Sequence, residues 1–135
     1  MAKTLTFAFM EPPFESERTV SFFRILDAAL DRGANVEIFA YEGAVSLAFA
    51  KQQPHGNAVH GRDTEEEAHP LTKDWIKQLQ LKAKSNALTF NWINCGLCVD
   101  ERGVNDVIEG CGRGSPADLW RYASGSYNTL TIGTR

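Results

Sequence analysis

LTFNWINCGLCVDERGV, residues 88–104, is the stretch on which the fold turns. LTFNWIN (88–94) is apolar and aromatic and has the length of a buried strand. Two cysteines three apart follow, Cys95 closing the strand and Cys98 opening CVDERG, which reads as the start of a helix. That junction puts Cys98 in a first helical turn, where free amides and the helix dipole favour thiolate over thiol. Arg102, at i+4, can face Cys98 and lower its pKa further, while Glu101 at i+3 opposes this.

Working outward, TLTFAFM (4–10), NVEIFAY (35–41) and NTLTIGT (128–134) read as further strands. EPPF ends the first, because Pro12 and Pro13 cannot continue a ladder or sit inside a helix. A helix is predicted from Ser16, with Val20, Phe23, Ile25, Leu26 and Leu30 as its apolar face and Gly33 as its stop. GAVSLAFAK (43–51) suits a short helix. Residues 52–70 are polar, hold Pro54, Gly56, Gly61 and Pro70, and read as a long loop. Leu71, Trp75, Ile76 and Leu79 mark an amphipathic helix to about Ser85. SPADLWRYA (115–123) opens another, with Ser115 as N-cap, Pro116 at the first position and Asp118 in the first turn.

Strands alternating with helices predict an α/β chain with a mostly parallel sheet and helices on both faces. In such sheets reactive groups gather beyond the carboxyl ends of the strands. The loops 11–16, 42–44 and 94–98 all land on that edge. Pro12, Pro13 and Phe14 are expected to wall it off from water.

The 135 residues suit one domain over 1–135. A net charge of −3 without a basic stripe argues against nucleic acid as a partner. No run of about 18 apolar residues occurs, so no membrane span is expected. MAKTLTFAFMEPPF lacks the features of a signal peptide, and the chain reads as cytoplasmic. Three cysteines, an odd number, disfavour a disulfide scaffold.

The Cys95–Cys98 pair has several readings from spacing alone: two small buried side chains, half of a zinc site, a redox couple, or a nucleophile with a neighbour. His55, His60 and His69 share the loop 54–70 with Asp63, Glu65, Glu66 and Glu67, which suits either a solvated acidic loop or a metal site. GCGRGS (110–115) reads as a tight turn needing glycine, or as an anion-receiving loop before a helix. It lacks the P-loop ending and the full dinucleotide spacing.

Over nearly its whole length the chain resembles the DsrE/DsrF/TusD-like sulfur-relay proteins. The resemblance rests on the opening strand with EPPFESER, on DAALDRGANVEIFAYEGAV, on CVDERGV, and on GRGSPADLW before a last hydrophobic strand. It implies a three-layer α/β/α sandwich with a mostly parallel sheet of about five strands. It implies a sulfurtransferase-type activity in which one cysteine accepts sulfane sulfur as a persulfide and passes it on; the matching position is Cys98. Cys95 departs from many relatives and is read as auxiliary, either resolving the persulfide through a disulfide or pointing into the sheet, away from Cys98. No organic cofactor is required. The implied partners are sulfur donor and acceptor proteins and further copies of the chain, as a trimer or hexamer. The alternative is a non-catalytic oligomeric subunit or a small-molecule binding module of the same fold.

Overall fold

The structure is a computed structural model that describes residues 1–134. Five strands form the sheet: β1 (Thr4–Phe9), β2 (Asn35–Ala40), β3 (Phe90–Cys95), β4 (Cys111–Gly114) and β5 (Asn128–Ile132). Their order is β4-β3-β2-β1-β5, and every pairing is parallel. The helices are α1 (Glu17–Asp31), α2 (Thr72–Ser85), α3 (Gly96–Arg102) and α4 (Pro116–Gly125).

Register explains the core. Leu130, Phe7, Ile38, Trp92 and Cys111 lie side by side across the sheet. Successive strand residues point to opposite faces. Phe7, Phe9, Ile38, Ala40 and Trp92 therefore share the face covered by α1 and α2, where they join Phe22, Phe23, Leu26, Ile76 and Leu79 in one buried cluster. Burial of each large side chain contributes about 1.5–3 kcal/mol. Phe39, Ile93 and Cys95 face the other way and meet Leu119 of α4. Helices thus cover both faces, as the alternation predicts.

Local signals act as expected at two helix starts. Ser16 Oγ accepts from the Arg18 amide, and Ser115 with Asp118 forms a capping box ahead of Pro116. Gly33, with φ of 77°, turns the chain from α1 into β2.

Three local expectations are corrected. The buried stripe of α1 is Thr19, Phe22, Phe23, Leu26, Ala29 and Leu30; Val20 and Ile25 flank it and are exposed. The segment 43–51 is a 3₁₀ helix over Glu42–Ala48, after which Phe49 is extended and bridges Val107. GCGRGS is mainly neither turn nor anion loop: Gly110, with φ of 85°, makes the turn and Cys111–Gly114 is the edge strand β4. The segment 52–70 is the long polar loop expected, with Asp63, Glu65 and Glu66 exposed, and it is braced by its own contacts. It holds a 3₁₀ turn at Ala58–His60, an Asn57–Arg62 bridge and an Arg62–Glu67 ion pair of 3.1 Å. Among the described residues no group of three or more His, Cys, Asp or Glu side chains is placed to hold a metal ion. Nor is any described helix long and apolar enough to cross a membrane.

Candidate functional site

β3 runs into α3 without a loop. Cys95 is both the last strand residue and the N-cap of α3, and Cys98 is the third helical residue. Gly96 lets the Arg113 guanidinium pack close to the backbone of this turn, since a Cβ there would stand 2.8 Å from Arg113 Nε. Arg113 in turn grips Asp100 through two hydrogen bonds of 2.8 and 2.5 Å, tying α3 to β4. The guanidinium holds the Asp100 carboxyl below its usual range.

Cys98 is 8% exposed and Cys95 5%. Both belong to a small cluster with Phe39, Val45 and Val99. They also line one cavity of about 370 Å³ together with Tyr41, Glu42, Leu97 and Arg102. Strand alternation does carry Cys95 to one face of the sheet, as expected. Because α3 begins at once, however, it folds back over that same face, so the two thiols are close neighbours rather than diverging. Both are free thiols, as is Cys111.

The donor that meets the sulfur comes from another element. The Glu42 amide donates to Cys98 Sγ at 3.2 Å. Glu42 has φ of 50°, a left-handed conformation that costs a non-glycine residue roughly 1–2 kcal/mol. Backbone strain of this kind persists where the surroundings impose it, often at functional sites. The sequence placed 42–44 on this edge but gave no sign of Glu42, because side-chain type does not report the sign of φ. Glycine at this position keeps the amide and removes the strain, whereas a β-branched residue aggravates it. Glu42→Val is therefore expected to be about 1–2 kcal/mol less stable than Glu42→Gly in urea denaturation. Equal midpoints would show that the left-handed turn is not held in solution.

Electrostatics correct the expected pKa. Burial is the largest influence and pushes the Cys98 thiol up, and the adjacent Cys95 thiol pushes the same way. The Glu42 amide and, more weakly, Arg102 pull it down without winning. Arg102 lines the cavity, but its Nη1 donates to the Cys98 carbonyl at 3.5 Å rather than to the sulfur. Burial raises Cys111, packed against the main core, to about 12. A raised pKa means less thiolate at neutral pH. Alkylation of Cys98 is thus expected to be slow there, to accelerate above the free-thiol value of about 8.5, and to exceed that of Cys111 throughout. A labelling rate already at its plateau at neutral pH would contradict this electrostatic picture.

The expected apolar wall is only partly present. Pro12 packs on Gly43, where a Cβ would meet it at 3.0 Å, and lines a neighbouring cavity. Phe14 is 55% exposed and lies against His69, 4.7 Å between ring centroids. None of Pro12, Pro13 and Phe14 is among the residues lining the thiol cavity. His55 and His69 pair with each other, their ring centroids 5.7 Å apart, away from the two cysteines.

Among solved structures the chain is similar to the ychN protein from E. coli, with 18% identity, a TM-score of 0.70, and coverage of 98% of this chain and 100% of that one. It is also similar to BT1422 from Bacteroides thetaiotaomicron, described as a conserved protein of unknown function. There the identity is 16% and the TM-score 0.57, with 96% and 95% covered. At these identities the likeness establishes the fold. No curated protein matches the chain. The model of the DsrE/DsrF-like family matches residues 3–132, so this parallel five-stranded α/β chain belongs to the DsrE/DsrF-like family.

Proposed function

We propose that the chain is a sulfur-relay protein that carries sulfane sulfur on Cys98. The observation that carries this reading is the Glu42 amide at 3.2 Å from Cys98 Sγ, inside a cavity at the carboxyl edge of the sheet. The Cys98 thiolate attacks the outer sulfur of a donor persulfide. A new S–S bond forms to Cys98, the donor S–S bond breaks, and the donor leaves as thiolate. The amide stabilises negative charge on Sγ as the attacking thiolate, and again when Sγ leaves as thiolate on discharge. Burial keeps the thiolate fraction low, but a more basic thiolate is also more nucleophilic. An acceptor thiolate then removes the outer sulfur and regenerates Cys98. Cys95, beside it, can attack Cys98 Sγ of the loaded form, giving a Cys95–Cys98 disulfide and releasing hydrosulfide. The reading includes donor and acceptor proteins, a cytoplasmic setting and assembly of several copies. Intact-mass measurement after exposure to inorganic polysulfide tests it: a gain of one sulfur atom, mapped to Cys98, is expected.

The near-complete burial of Cys98 and its raised pKa favour one second reading, a non-catalytic subunit or small-molecule binding module. No mass gain on folded protein, with Cys98 intact, would select it.

A further inference from the structure

We infer that a second cavity, adjoining the thiol site, seats a low-molecular-weight thiol bearing both an ammonium and a carboxylate, and that this molecule takes sulfur from Cys98. The inference rests on the persulfide reading above and names the class of acceptor. The second cavity measures about 530 Å³, a size that admits a free amino acid or a short peptide. Glu42 and Arg102 line both cavities, and the Glu42 amide touches Cys98 Sγ, so an occupant lies one residue from the sulfur.

The walls specify its charges. Glu11 lines the cavity, yet is only 3% exposed. Its Oε2 accepts no hydrogen bond among the described residues. The guanidinium of Arg18 stands 4.0 Å away and donates instead to the Gly133 carbonyl at 3.0 Å. A buried carboxylate oxygen without a donor is unfavourable, and an ammonium from an occupant supplies the missing bond. The segment that carries Glu11 is held in place, because Thr19 Oγ1 donates to the Pro12 carbonyl at 2.9 Å. Glu15 and Glu42 add negative charge to the same cavity. Arg102 is the one Lys or Arg among its described lining residues. Its guanidinium has five N–H donors; Nη1 reaches the Cys98 carbonyl and lies 3.8 Å from Glu101, which leaves capacity on the rest of the group for a carboxylate. An ammonium at Glu11, a carboxylate at Arg102 and a sulfur toward Cys98 describe an amino-acid-type thiol.

The step balances without an oxidant. The acceptor thiolate attacks the outer sulfur of Cys98–S–SH, the S–S bond to Cys98 breaks, and Cys98 leaves as thiolate while the acceptor becomes a persulfide.

The test compares L-cysteine, cysteamine and 3-mercaptopropionate as acceptors from the loaded full-length chain, with rates corrected to the thiolate fraction. L-cysteine is expected to exceed 3-mercaptopropionate by ~10-fold in kcat/KM, as fits one charge-assisted contact. Glu11→Gln should erase that difference, and a difference that survives overturns the inference. Should Glu11→Gln fail to fold, Arg102→Met decides, because the preference for L-cysteine over cysteamine must then vanish. Calorimetry with S-methyl-L-cysteine on Cys98→Ser protein is independent of sulfur loading. Saturable binding that is lost with Glu11→Gln or Arg102→Met upholds the inference, and no binding overturns it. Failure of Cys98 to load sulfur sinks the relay reading and the transfer step with it, while the calorimetry still decides whether the cavity seats the amino-acid-type ligand.

Discussion

Cys98→Ser is expected to abolish the gain of one sulfur atom after exposure to polysulfide, whereas Cys95→Ser is expected to load and to stay loaded longer than the unaltered chain. The serine hydroxyl cannot hold sulfane sulfur, so the first loss is complete rather than graded. The second expectation follows from the shared cavity. With both thiols present, Cys95 can attack Cys98 Sγ of the loaded form and discharge it as hydrosulfide. Removing Cys95 ends that route and also removes one of the influences that hold the Cys98 pKa up. Time-resolved intact mass reads both effects. In the unaltered chain a loss of sulfur should be accompanied by a loss of two hydrogens, the mark of a Cys95–Cys98 disulfide. Equal failure of the two variants to load would show that the thiols act as one unit, and the single-carrier account would be wrong.

Trp92→Ala is expected to cost about 3–5 kcal/mol of stability, a large share of the roughly 5–15 kcal/mol available to a domain. Trp92 is 2% exposed at the centre of the sheet, with Phe22, Phe23 and Phe90 rings at 6.2 to 6.5 Å. Its Nε1 donates to Asn94 Oδ1 at 2.8 Å, and Asn94 is itself 1% exposed. Two effects are therefore combined, a cavity and an orphaned buried acceptor. Trp92→Phe separates them: it retains most of the packing but strands Asn94, at about 1–3 kcal/mol. Urea midpoints measure both. A Trp92→Phe variant as stable as the parent would mean that the Asn94 contact contributes nothing net, and the alanine cost would then be packing alone.

The sequence by itself determined the strands β1, β2, β3 and β5, the helices α1, α2 and α4, and the parallel α/β class. These rest on apolar runs, caps and glycine stops, all of which act over a few residues. It also determined that Cys98 opens a helical turn directly after a strand. Tertiary structure decided the rest. CGRG became β4 because an edge strand pairs through its backbone, so its glycines and arginine give no apolar pattern to read. Val20 and Ile25 were left exposed because only the contact with the sheet, not the helix pattern, chooses which side of a broad apolar face is covered. The site depends most heavily on distant segments. Glu42 reaches Cys98 across 56 positions of chain, and it does so only through a left-handed turn that no side chain announces. The same packing reversed the expected pKa direction, because the helix-turn argument is local, whereas burial of the sulfur also involves Phe39 of β2 and Val45 of the 3₁₀ helix, both distant in sequence.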